Sequence, residues 1–88
     1  MFEWDENKRL WTIEGRGLDF LDATAIFDGR PSIHIPAHAR GEDRFLTVAI
    51  IGKKFHTVVW AWRGEVRRII SFRRFRNEEE KTYRKLYN

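Results

Sequence analysis

Arg67, Arg68, Arg73, Arg74 and Arg76 fall within ten consecutive positions of the stretch RRIISFRRFRNEEE, which then turns to three glutamates. A guanidinium stays charged and grips oxyanions with paired donors, so side chains that repel one another at this density are suited to holding a polyanion. They are not suited to moving protons, because a guanidinium keeps its proton and so has no lone pair for general-base work. The candidates for proton transfer are Glu79 and Tyr83, four residues apart and hence on one helical face, and His38, a histidine in a polar segment. Each has a competing structural role: helix capping for Glu79, core packing for Tyr83, and plain solvation, edge protection or pairing with acids for the arginines. Ser71 could bond a phosphate or serve as a structural hydroxyl of the sheet. Trp60 and Trp62 alternate on one strand face and could stack bases, with core packing competing for at least one of them. His34 and His38 have a spacing that binds metal on a helix, but Pro36 lies between them, and adding His56 would require three segments to converge. No metal or cofactor site is expected.

The elements that must position these residues belong to one domain, residues 1–88, with no room for a second. The chain has four Trp, seven Phe and no Cys, so a dense aromatic core has to do without disulfides. Residues 1–43 carry five Lys or Arg and nine Asp or Glu, for −4, whereas residues 44–88 carry twelve and four, for +8. That asymmetry either meets a polyanion or is cancelled by the acidic half folding against the basic half. The acidic opening MFEWDENK does not resemble a signal peptide, and Val48-Ala49-Ile50-Ile51, the longest apolar run, is far short of a membrane span. A soluble, cytoplasmic domain without membrane contact is the expectation.

Phe2-Glu3-Trp4 reads as a short extended segment. Asp5 caps a first helix whose stripe is Leu10, Trp11 and Ile13, stopping near Gly15 and Gly17; a second helix starts after Asp19 and runs through Phe27 to the break at Asp28-Gly29. PSIHIP is extended, and AHARGED is a polar loop. RFLTVAIIG, KFHTVVWAWR and EVRRIISFRR form an antiparallel meander, although apolar residues occupy both alternation classes and parity leaves open which face carries the arginines. Asn77 caps a last helix with Glu80 as capping-box partner, Tyr83, Leu86 and Tyr87 facing inward. The fold class is α+β: two N-terminal helices, an antiparallel sheet of three to four strands and a C-terminal helix.

FEWD with Lys8, GLDF leading to Ala25-Ile26-Phe27-Asp28, the GEDRF block, Arg63-Gly64, and RIISFRR followed by Glu79 and Tyr83 occur in this order over most of the chain. Together they resemble the BrnT family, toxins of type II toxin–antitoxin modules with a fold similar to the RelE ribonucleases. The family pattern has Asn and then Lys-His before the glycine, where this chain has Thr12, Gly15 and Arg16. Its small residues in ISARKA are replaced by Phe72 and Phe75.

The resemblance implies a toxin that cleaves RNA without a metal, through attack by the substrate's own 2′-hydroxyl. Arg63, Arg68 and Arg73 match family arginines and would hold the phosphate, with Glu79, Tyr83 or His38 moving protons and with Arg67, Arg74, Arg76 and Lys8 contacting RNA. The implied partner is a BrnA-like antitoxin whose ribbon-helix-helix portion binds operator DNA while another segment covers the toxin. The alternatives are a non-catalytic RNA-binding module or decayed toxin, and a basic surface that serves only partner binding.

Overall fold

Asp5 begins the first helix by accepting from the backbone N–H groups of Asn7 (2.9 Å) and Lys8 (3.3 Å), and the helix α1 runs from Glu6 to Arg16. It ends at Gly17, whose N–H donates to the Ile13 carbonyl at 2.9 Å. The computed structural model describes residues 1–75 and 77–87, with side chains for 1–75 and 81–86. Asp19 caps α2, Phe20–Ala23, through the Leu21 N–H, but the expected longer second helix tightens into a 3₁₀ turn over Thr24–Phe27. The reason is visible in the burial: Phe20, Ala23 and Ile26 are all buried, a period of three that the 3₁₀ geometry keeps on one side.

The sheet has five strands, not three or four: β1 Phe2–Trp4, β2 Ser32–Ala39, β3 Glu42–Ile51, β4 Lys54–Arg63 and β5 Val66–Arg74, in the order β1-β5-β4-β3-β2. β1 adds a parallel edge to β5, and the remaining pairs are antiparallel. The proline-flanked segment is a full strand because it lies at an edge, where the missing N–H of Pro36 costs least. The expected AHARGED loop collapses to a turn at Arg40 and Gly41, both with positive φ (53° and 76°). Two successive left-handed residues match the twist of a tight hairpin, so Ala37–Ala39 and Glu42–Asp43 are drawn into strands.

Apolar residues pack on both sides of the sheet. Phe20, Ala23 and Ile26 join Ala49, Val58, Trp60, Ile69 and Phe72 in the main core, while Ile33, Val48 and Tyr83, with Phe55 and Phe75 beside them, form a smaller one under α3, Asn77–Tyr87. Of the inward stripe expected on α3, Tyr83 is buried and the Tyr87 side chain lies outside the described residues. Contrary to expectation, Leu86 is exposed, and α1 buries no residue, leaving Leu10, Trp11 and Ile13 open. α1 is instead held by polar clamps. Arg9 makes a two-pronged contact with Asp19 (2.7 and 3.0 Å), and Arg16 Nη1 donates to the Phe72 carbonyl at 3.0 Å.

Candidate functional site

One irregularity in β5 decides where every arginine of the strand points. Val59 pairs with Ser71 and Trp60 with Ile69, so Ile70 is an extra residue opposite that step. A bulge of this kind shifts all later residues by one place relative to the pleat. Arg68, Ser71 and Arg73 therefore share one face, and Arg67, Ile69, Phe72 and Arg74 the other. The burial of both Ile69 and Phe72 in the main core, three residues apart, is the signature of that shift.

Where α1 meets the bulge there is a hollow of about 410 Å³ lined by Lys8, Trp11, Thr12, Gly15, Arg16, Ile70 and Ser71. The helix contributes positions 8, 11–12 and 15–16, which recur every three or four residues and so form one face. Lys8 is half-buried here, and its proton affinity is lowered below that of an ordinary lysine, first by burial and then by Arg44, with smaller contributions from Arg40 and Arg68; Asp5 opposes the shift. A cation made uncomfortable by other cations is one that an anionic ligand would relieve. Thr12 spends its hydroxyl hydrogen on the Lys8 carbonyl at 2.8 Å. A Cβ on Gly15 would meet nothing within 4 Å, so this position leaves the hollow wide.

The other expected site residues are dispersed. Arg63 donates to Glu42 at 2.6 Å, and Arg44 uses the same carboxylate at 2.9 Å, which holds its pKa below the usual carboxylate range. Arg68 pairs with Glu3 at 2.6 Å. Arg73 is half-buried, and its Nη1 donates to the Arg74 carbonyl at 3.4 Å. Arg74 is exposed on the opposite face, paired in register with His56. Burial, first of all, lowers the proton affinity of His56, which donates from Nδ1 to the Lys54 carbonyl. Tyr83 is buried, packs edge-on against Phe55 at 4.9 Å and directs its hydroxyl at the Pro31 carbonyl.

His38 is exposed on β2, with Nδ1 3.1 Å from Asp43. That strand is three positions from β5 in the sheet, or roughly 14 Å. Arg76 and the side chains of Glu79 and Glu80 lie outside the described residues. Among the described residues no three His, Asp or Glu side chains gather as a metal-binding group, and no helix is long and apolar enough to cross a membrane.

Sequence reasoning missed Arg16, Arg40 and Arg44 as neighbours of the site, and undervalued Lys8. The stripe of positions 8, 12 and 15–16 was the signal that could have found the hollow. Residues 4–79 match the family model of the ribonuclease toxin, BrnT, of type II toxin–antitoxin systems. The chain belongs to that family. No curated protein matches it. The match includes every BrnT residue of the α1–β5 hollow and all of β2 to β5, whereas Tyr83 lies beyond it.

Proposed function

We propose that this toxin cleaves RNA at the α1–β5 hollow, by attack of a ribose 2′-hydroxyl on the adjacent phosphate. The observation that carries this reading is Lys8, crowded by Arg44, Arg40 and Arg68 at the mouth of a hollow wide enough for a phosphate group. Further support comes from Thr12, Gly15 and Arg16. These are three of the five positions at which the chain departs from the family pattern, the others being Phe72 and Phe75, and all three line this same hollow.

Lys8, Arg68 and Ser71 hold the phosphate, and Arg73 and Arg63 extend the positive field along the same face. Preorganised cations stabilise the charge that grows on the pentacoordinate phosphorus. The attacking 2′-hydroxyl gives its proton to solvent water as the O2′–P bond forms; as the P–O5′ bond breaks, the departing 5′-oxygen takes up a proton, which a lysine with lowered proton affinity gives up more readily than an ordinary lysine. Geometry favours Lys8 for that transfer over Tyr83, which is packed in the small core, and over His38, which lies across the sheet.

The antitoxin of the module, of the BrnA kind, covers α1. Leu10, Trp11 and Ile13 are 51%, 69% and 36% exposed beside the cationic hollow, an arrangement of apolar anchors with a charged rim that suits a protein partner. A second reading, a toxin that binds RNA without cutting it, is favoured by the ion pairs that already occupy Arg63 and Arg68.

Incubating the purified, partner-free protein with RNA in EDTA separates the two. Cleavage that leaves 2′,3′-cyclic phosphate and 5′-hydroxyl ends, and that spares an RNA with a 2′-deoxy scissile ribose, is the expected result. Ends bearing a 5′-phosphate would overturn the mechanism, and salt-sensitive binding without cleavage would select the second reading.

A further inference from the structure

Arg67 points away from the α1 hollow, to the other face of the sheet, and sits among rings. Its guanidinium carbon lies 4.5 Å from the ring centroid of Phe27, 4.8 Å from that of Trp62 and 5.2 Å from that of Trp60. Among the described residues no carboxylate pairs with it, and its Nε is buried without an acceptor. Ring faces stabilise the charge but leave the in-plane N–H groups wanting oxygen.

Two hollows meet at Arg67 and His34. One, of about 310 Å³, is walled by Phe45, Trp60 and Trp62; the other, of about 200 Å³, has Gly29, Arg30 and Ser32 on its wall. Thr47 organises the boundary. Trp60 Nε1 can only donate, and it does so to Thr47 Oγ1 at 2.7 Å. His34 Nδ1 lies 2.6 Å from the same Thr47 oxygen; with the Thr47 hydroxyl as donor, the neutral ring keeps an Nε2–H for a ligand.

We propose that these paired hollows are a nucleotide subsite, in which a base stacks on Trp62 and its phosphate meets Arg67. The inference rests on RNA being the substrate, and adds to it a second contact on the face opposite the cleavage hollow. Trp62 is 47% exposed and offers the stacking platform, while Trp60 and Phe45, stacked at 4.8 Å, form the rigid wall behind it. The ligand must present a flat π face and an oxyanion close together. A nucleotide carries both in one unit, whereas an acidic peptide needs two correctly spaced side chains. Arg67 and Arg68 are adjacent in the chain and on opposite faces, so an RNA strand that fills both sites passes around the sheet.

The test is binding of a short single-stranded RNA, made uncleavable by 2′-O-methylation, at low salt. Trp62→Ala should weaken binding roughly five- to a hundredfold, the range for one lost base–aromatic stack. Trp62→Phe should restore most of it, and Arg67→Gln should also weaken it. Circular dichroism should show each variant folded, and the Trp62 pair decides the matter if Arg67→Gln is not. Binding that falls with Lys8→Ala but not with Trp62→Ala would overturn this subsite and leave the RNA reading intact. A wild-type protein that does not bind the RNA would overturn both. Trp62-dependent binding of a random Glu-Tyr copolymer in place of the RNA would assign the hollow to a protein partner and overturn the proposal.

Discussion

In the proposed mechanism Lys8 joins the electrostatics of this protein to its chemistry. Burial, Arg44, Arg40 and Arg68 all disfavour its charged form, so it loses its proton at lower pH than an ordinary lysine. If the protonated amine supplies the leaving-group proton, cleavage should decline on the alkaline side, and Arg44→Ala should move that decline to higher pH by removing the largest charge contribution. Lys8→Met should slow cleavage about 10²- to 10⁴-fold with little change in thermal stability; an unchanged rate would rule Lys8 out as the donor. His56 gives a pH effect on stability instead. Its folded-state proton affinity is below the ordinary imidazole value of 6.5, so the unfolded chain binds the extra proton and stability falls as pH drops through and below that value. Thermal melts at about pH 7.5 and about pH 5.5 should show a loss at the lower pH. That loss should shrink in His56→Asn; an equal loss in the variant would place the acid sensitivity elsewhere.

At the scale of elements, the bulge in β5 and the polar mounting of α1 create the site. Ile69 is buried at 1% and Ile70 only partly, so Ile69→Ala should cost about 2–5 kcal/mol and Ile70→Ala less, as denaturant titration would show. Removing one of the two isoleucines restores regular pleating while keeping Phe72 on the core side and Ser71 on the site side. That deletion should fold and lose cleavage, because the wall of the hollow goes with the bulge; a deletion variant with wild-type activity would refute the bulge's role. α1 is fastened at Asp19 and at the Phe72 carbonyl, and its apolar residues are free for a partner. Trp11→Ala should therefore weaken antitoxin binding roughly tenfold or more, measured by calorimetry, while leaving the melting temperature nearly unchanged.

Over the whole molecule the two alternatives for the charge split both apply, to different residues. Glu3 neutralises Arg68, and Glu42 is shared between Arg44 and Arg63, so the acidic half does fold against the basic half and still leaves a cationic surplus around Lys8. RNA affinity should then fall linearly with the logarithm of salt concentration, and Lys8→Ala should reduce the slope by about 0.7, the value for one phosphate contact on a single strand. An unchanged slope would mean that Lys8 touches no phosphate. The toxin–antitoxin complex should show little RNA binding by gel shift, since the helix that borders the hollow is covered; undiminished binding would put the antitoxin elsewhere.

The sequence by itself determined the α+β class, the Asp5 cap and glycine stop of α1, the three central strands, and the family, because these are set by local patterns: capping side chains, alternation, and short motifs in order. The shared face of Trp60 and Trp62 was also legible from strand period alone, whereas it took the tertiary structure to bury Trp60 and leave Trp62 exposed. Tertiary structure decided what depends on pairing. β1 becomes a strand because the distant β5 supplies its hydrogen bonds, β2 because it pairs with the neighbouring β3, and the AHARGED loop became a hairpin because β2 and β3 stay in register up to the turn at Arg40. The arginines were sorted by one extra residue, Ile70, whose effect on every later side chain appears only once β4 fixes the register. The hollow at Lys8 likewise needed α1 clamped to the cap of α2 by Arg9 and to β5 by Arg16, contacts that join residues 10 and 56 positions apart in the chain. Local sequence carries periods and caps, whereas a site made where separate elements meet is specified only by how they dock.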